Sequence, residues 1–232
     1  MKVVIIGGVA GGATAAARLR RLDEHAEIVV LERSGYVSYA NCGLPYYVGG
    51  VIQNKKALTL QTPQSFKTRF NIDVRVHSEA VAIDRVKKEV RVRETESGRE
   101  YTERYDKLIL SPGARAVVPP VAGADDPRVF TLRTVEDTFR IAAYIAEKGA
   151  GRAVVIGGGF VGLEMAENLT ERGIGVTLCE GSPQVLPQTD ADMACFLHAR
   201  LRAAGIDLRL NAKVLGFIEE GDALTGHEQA LA

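Results

Sequence analysis

The chain carries no net charge, because 29 Lys and Arg balance 29 Asp and Glu over 232 residues. Composition therefore gives no sign of a general nucleic-acid or anionic-membrane partner. Cysteine is scarce: only Cys42, Cys179 and Cys195 are present. An odd number at wide spacing argues against a disulfide framework and for a reducing, cytoplasmic compartment. The spacing also lacks the clustering of a zinc site. No second Cys lies within five residues of Cys42, so an internal CxxC dithiol cannot form there. No apolar run approaches the about 20 residues a membrane helix needs. The opening MKVVIIGGVAGG has one Lys and a short apolar run that passes straight into a Gly-rich turn, which reads as a strand and not a signal peptide. What remains, at 46% apolar and 25% charged residues, is the composition of a soluble globular protein. The length suits one large domain or two ordinary ones.

Residues 2–6 (KVVII) form a near-continuous apolar run, as expected of a buried parallel strand. Gly7, Gly8, Gly11 and Gly12 follow, then the helix former ATAAARLRRL, then a second strand EIVVLE ending at Glu32. The order is strand, Gly-rich turn, helix, strand, acid. The glycines let backbone N–H groups approach a pyrophosphate, and the helix N-terminus supplies partial positive charge. Glu32 is placed to accept hydrogen bonds from a ribose diol. The register departs from GxGxxG, with Val9 at the middle glycine position and Ala10 after it. The βαβ context carries the assignment instead.

The arrangement repeats. RAVVI (152–156) is a strand, and Gly157, Gly158, Gly159 and Gly162 form GGGFVG, a full GxGxxG. LEMAENLTERG reads as a helix stopped by Gly173, and GVTLCE is a second strand ending at Glu180. An acid followed by Gly181 favours NADH, since a 2′-phosphate would be repelled and would find no guanidinium there. Arg172 lies nearby in sequence and leaves NADPH open. Two such folds suggest one dinucleotide held permanently and one exchanged. From residue type alone, Phe160 reads as a core residue. Cys179, in VTLCE, and Cys195, in ADMACFLHARLRAAG, read as small core fillers.

Between the two units, 62–76 reads as a short helix and a strand, and the segment from 79 to 110 as an antiparallel meander ending on a strand at 107–110. VVPPVAGADDP is a Pro- and Gly-rich connector. The segment 134–149 reads as a helix with Thr134 as N-cap and Asp137 at its third position. Cys42 sits in YVSYANCGLPYY, where GLPYYVGG after it reads as a short helix start. A thiol there, with a free pKa of roughly 8.5, can be activated toward a disulfide or a flavin.

Two nucleotide fingerprints around a Cys at a helix start resemble the flavoprotein pyridine nucleotide-disulfide oxidoreductases. The similarity is greatest to their single-cysteine branch of coenzyme A disulfide reductases, NADH oxidases and NADH peroxidases. It is carried by VVIIGGVAGGATAAARLRRLDE, SYANCGLPYYVGG, LILSPGA, FTLRTVEDT and VVIGGGFVGLEMAE. The resemblance implies an α/β fold with two Rossmann-like dinucleotide-binding domains and an antiparallel β-meander. It places an FAD-binding domain at 1–112, a connector at 113–149 and an NAD(P)H-binding domain at 150–232. FAD contacts are implied for Gly7, Gly8, Ala10, Gly11, Gly12, Glu32, Arg33, Ser111, Pro112 and Gly113. Pyridine nucleotide contacts are implied for Gly157, Gly159, Gly162 and Glu180, with Phe160 covering the flavin and Glu164 beside flavin and nicotinamide.

Electrons are then expected to pass from NADH through FAD to Cys42, with Ser38 and Asn41 positioning the disulfide. Peroxidase and oxidase relatives carry a His where this chain has Ala10, so peroxide chemistry lacks its general acid. Coenzyme A disulfide reductases share the VAGG turn and Asn41-Cys42. The implied substrate is coenzyme A disulfide, or a related persulfide or polysulfide, with Arg18, Arg21 and Arg69 facing its phosphates. The alternative for RLRR is a solvated helix face. Relatives are longer, adding a second FAD segment and a C-terminal domain that forms a homodimer. The present chain is expected to lack these, leaving apolar sheet edges exposed. Gly221-Asp222-Ala223 reads as a hairpin turn and not as the FAD-contacting GD pair. A non-catalytic nucleotide-binding fragment is the remaining alternative.

Overall fold

A computed structural model describes residues 1–220 and 223–230. Contacts divide the chain into two compact units: Met1–Ala40 with Asn54–Arg115, and Asn41–Gln53 with Ala116–Ala232. Elements are numbered in chain order, and each unit is described by itself.

The first unit contains β1 (Lys2–Ile6), α1 (Ala10–Leu22), β2 (Glu27–Leu31), β3 (Val37–Tyr39), α3 (Lys55–Leu58), β4 (Thr59–Gln61), α4 (Pro63–Phe70), β5 (Asp73–Arg75), β6 (Ser78–Asp84), β7 (Glu89–Glu94), β8 (Glu100–Arg104) and β9 (Lys107–Leu110). A parallel sheet runs in the order β5-β2-β1-β9. The central strands β1 and β2 are apolar at consecutive positions because both of their faces are covered. Val3, Ile5, Ile28 and Val30 pack with Ala13, Ala16 and Phe66, while Val4, Val29 and Leu31 pack with Val90 and Val92 of the meander β6-β7-β8. Glu103 of β8 pins the meander to the sheet by ion pairs to Lys2 at 2.6 Å and Arg75 at 2.5 Å. The register pairs Ile6 with both Leu31 and Leu110, so all three strands end on one rung.

The second unit contains a 3-10 turn (Asn41–Gly43), α2 (Leu44–Val48), α5 (Val135–Lys148), β10 (Arg152–Ile156), α6 (Phe160–Glu171), β11 (Gly175–Cys179), α7 (Ala191–Ala203), β12 (Asp207–Arg209), β13 (Ala212–Glu220) and β14 (Ala223–Ala230). Strands β10-β11-β12 are parallel, and β13 and β14 pair antiparallel. The expected turn at Gly221-Asp222 lies outside the described residues. Thr134 caps α5 reciprocally with Asp137, as the sequence predicts. Val48, Ile141, Met165, Leu169, Leu178 and Leu201 share the core. Cys179 is buried, but Cys195 is exposed, contrary to expectation. The buried positions of α7 are Ala194, His198 and Leu201, a helical stripe from which Cys195 is rotated away. Apolar side chains Val154 and Ile156 on β10 are exposed, as is Leu110 on β9 of the first unit.

Candidate functional site

The shared strand ends in the first unit bring Gly7, Glu32 and Ser111 together, each being the residue after the last rung. Gly7 has φ +98°, and a Cβ there would lie 1.9 Å from the Ser111 carbonyl oxygen. A Cβ on Gly12 would lie 1.8 Å from the Gly7 oxygen, and one on Gly11 would lie 3.2 Å from Ser111 Oγ. The turn is thus built at backbone contact distance, with Pro112 and Gly113 following Ser111 along its side. Glu32 is buried at 7% exposure. Its Oε2 accepts from the Gly8 N–H at 2.8 Å and its Oε1 from the Ser34 N–H at 2.9 Å. Helix α1 opens at Ala10 with no side-chain cap and no acid in its first turn. By contrast, Thr62 caps α4. Uncapped N–H groups beside a Cβ-free turn fit the pyrophosphate of a dinucleotide. Ala10 and Arg33 are exposed.

The second unit repeats this construction. Gly157 follows β10 with φ +100°, and Ile156 pairs with Cys179, which sets Gly157 opposite Glu180. Glu180 Oε2 accepts from the Gly158 N–H at 2.6 Å and Oε1 from the Ser182 N–H at 2.7 Å. Burial pushes the Glu180 carboxyl up, but the N–H groups of Gly158 and Ser182 outweigh it and hold the group below its ordinary range. A Cβ on Gly162 would lie 1.9 Å from the Gly157 oxygen. Helix α6 begins at Phe160 with Gly159 as N-cap and neither a capping side chain nor an acid in its first turn. Phe160 is 65% exposed and so is not the core residue its type suggests. Glu164 lies one turn further and is half-buried.

Cys42 is exposed, in the 3-10 turn that leads into α2. Helix α2 buries Leu44, Pro45 and Val48, and its Tyr47 ring meets Phe139 of α5 edge-on at 5.2 Å. Ser38, upstream on β3, has φ +47°, an uncommon conformation for a non-glycine residue, and donates its N–H to the Gly8 oxygen at 2.9 Å. That bond ties the strand before Cys42 to the first glycine turn. Asn41 opens the 3-10 turn.

The RLRR run on α1 separates into different roles. Arg20 makes five hydrogen bonds of 2.6–3.2 Å to the carbonyls of Phe70, Asp23, Glu24, Ala26 and Asn71. It joins the end of α1 to the end of α4. Arg18 and Arg21 are exposed, as is Arg69 on α4, whose guanidinium lies 5.7 Å from the Phe70 ring centroid. Sequence reasoning missed the structural part of Arg20, because nothing local separates it from its neighbours. It also missed Asn168, which is 1% exposed on α6. The only local signal was its spacing of four residues from both Glu164 and Arg172. Arg172 donates to the Val48 carbonyl at 2.5 Å.

Comparison with known proteins matches the whole span, residues 1–232, to the pyridine nucleotide-disulphide oxidoreductase profile. The chain belongs to the pyridine nucleotide-disulphide oxidoreductase family. Among curated members of that family, it is 40% identical to the coenzyme A disulfide reductase of Staphylococcus aureus strain JH9 over 227 residues, covering 98% of this chain and 50% of the relative. It therefore spans about half the length of the curated relatives it matches. Among solved structures it is similar to reduced Bacillus anthracis CoADR-RHD, with TM-score 0.93 and 47% identity over 99% of this chain and 42% of that one. It is also similar to the NAD-dependent persulfide reductase of A. fulgidus, with TM-score 0.93 and 38% identity over 100% of this chain and 43% of that one. Among the described residues no helix is long and apolar enough to cross a membrane, and no His, Cys, Asp and Glu cluster could hold a metal ion.

Proposed function

We propose that this chain carries the electron-transfer half of a flavoprotein that takes electrons from NAD(P)H and delivers them to a disulfide through Cys42. The observation that carries this reading is the pair of uncapped glycine turns, each with its carboxylate engaged by the turn N–H, in one chain with the exposed Cys42. The first turn fits FAD, held by the backbone of Gly7, Gly8, Gly11 and Gly12, with Ala10 at the helix start, Glu32 and Arg33 at the ribose end and Ser111, Pro112 and Gly113 alongside. Bound FAD would supply the two-electron relay between nicotinamide and sulfur. The second turn takes the pyridine nucleotide at Gly157, Gly159 and Gly162. Glu180 stays ionised there and Gly181 follows it, so a ribose diol is favoured over a 2′-phosphate and NADH over NADPH. Exposed Phe160 is free to cover and uncover the flavin, with Glu164 on the same helix.

The Cys42 thiolate attacks one sulfur of the substrate disulfide. A bond forms between Cys42 Sγ and that sulfur, the substrate S–S bond breaks, and the other half leaves as a thiolate. Two electrons originating from NAD(P)H then cleave the mixed disulfide, restoring the Cys42 thiolate and releasing the second thiol with a proton. Ser38 and Asn41, which precede the thiol in sequence, are the residues assigned to orient the disulfide. Coenzyme A disulfide is the leading substrate, with persulfides or polysulfides as chemical kin. Arg18, Arg21 and Arg69 are exposed cations suited to its phosphates, and Arg20 brings their two helices together at one end of the first unit. Ala10 gives no titratable group at the first turn, which disfavours a peroxide cycle.

The test is the visible spectrum together with NADH consumption. The purified protein is expected to show flavin absorbance and to oxidise NADH on addition of coenzyme A disulfide. Cys42→Ser should keep the flavin and lose that turnover, whereas Cys195→Ser should keep both. Undiminished turnover in Cys42→Ser would overturn the reading.

A further inference from the structure

Asn168 holds a buried polar atom with no partner. Its Nδ2 donates to the Glu164 carbonyl at 2.8 Å, while its Oδ1 is buried with no hydrogen bond among the described residues. Such atoms are rare in native proteins and call for an explanation. Oδ1 is directed at the end of α2: a Cβ built on Gly49 would lie 2.5 Å from it. Glycine is therefore required at 49, and the amide sets how closely α2 approaches α6. One helical turn on, Arg172 places a cation on the Val48 carbonyl at 2.5 Å, at an end where helix carbonyls lack intrahelical partners.

Helix α2 spans only Leu44–Val48, too short to hold its own conformation. The turn that bears Cys42 runs directly into it. Whatever seats α2 therefore seats Cys42. We infer that Asn168 and Arg172 are positioning residues for Cys42, acting through the last turn of α2. This gives the helix that begins at the pyridine nucleotide turn a second task, holding the thiol-bearing segment at its other end. The inference rests on the proposed reading of Cys42 as the reactive thiol.

The experiment is timed alkylation with iodoacetamide, with Cys42 and Cys195 quantified separately by peptide mass spectrometry across pH 6–9. Both thiols are exposed, so Cys195 serves as an internal reference. A wild-type Cys42 no more reactive than Cys195 would refute the functional reading itself. Given a reactive Cys42, Asn168→Leu and Arg172→Met are each expected to lower the Cys42 to Cys195 rate ratio on the order of tenfold and to displace its pH profile. Arg172→Lys, which retains a cation for the carbonyl, should recover most of the ratio. Asn168→Leu removes the unpartnered acceptor, so its melting temperature is expected to be unchanged or raised while Cys42 reactivity falls. A purely structural role would move stability and leave the ratio alone. An unchanged or raised ratio in both variants overturns the inference.

Discussion

Replacing Gly7 by alanine tests the first glycine turn at its tightest point. The new Cβ would lie 1.9 Å from the Ser111 carbonyl oxygen and 2.7 Å from its carbon, so β9 or the turn must move by more than about 1 Å to reach ordinary contact. The backbone at φ +98° adds a second cost, because an L side chain rarely adopts it. Positive φ contributes about 1–2 kcal/mol. Displacing packed backbone contributes about 1–3 kcal/mol. Together they destabilise by about 2–5 kcal/mol, a fall of about 4–20 °C in melting temperature for a chain of this size. Circular dichroism melts give the shift directly, and flavin absorbance per protein should fall with it because Ser111 moves. Gly159→Ala is the matched control. Its φ is −77° and nothing among the described residues lies within 4 Å of a Cβ there, so the melting temperature should fall only by the small cost of an alanine at an N-cap, well short of the Gly7→Ala shift. The space over that Cβ is where the pyrophosphate is proposed to sit, so NADH affinity should weaken. A Gly7→Ala protein melting within a degree or two of wild type would refute the steric argument. Unaltered NADH binding in Gly159→Ala would show that the pyrophosphate does not approach that turn.

Arg20→Met should destabilise by about 1–3 kcal/mol, since it strips five carbonyls of a charged donor, while Arg21→Met should leave the melt unchanged and raise KM for coenzyme A disulfide. His198 is held below its ordinary 6.5 by burial and then by the Arg202 charge, and its Nε2 accepts the Val185 N–H at 3.2 Å. The unfolded chain therefore binds the extra proton first, and stability should drop as pH falls below about 6.5. His198→Gln should remove that step from a series of melts between pH 7.5 and 5. Glu180→Ala combined with Gly181→Arg should move the ratio of NADPH to NADH kcat/KM upward, and an unmoved ratio would place the ribose elsewhere.

Much of the candidate site was legible because its signals are local. KVVII and RAVVI occupy the predicted strands, the glycine turns and their acids follow at the predicted places, and the Thr134 cap forms with Asp137. What was not legible depends on partners remote in sequence. Cys195 and Phe160 read as core by residue type, but their exposure is set by which face of each helix meets the sheet. Arg20 and Arg21 are indistinguishable in the string RLRR. Arg20 alone reaches carbonyls fifty residues away, because α4 ends there.

By itself the sequence determined the two glycine turns, their carboxylates and the thiol between them, since backbone conformation at glycine and the alternation of strand, helix and acid are short-range properties. Tertiary structure decided which glycines can accept no side chain, because only the neighbouring strand end supplies the atom they would strike. It also decided that the segment bearing Cys42 packs in the second unit, on α5 and α6, through Tyr47, Asn168 and Arg172. A five-residue helix has no stability of its own to announce its place. Its position follows from the surfaces that bury it, and those surfaces lie a hundred residues further along the chain.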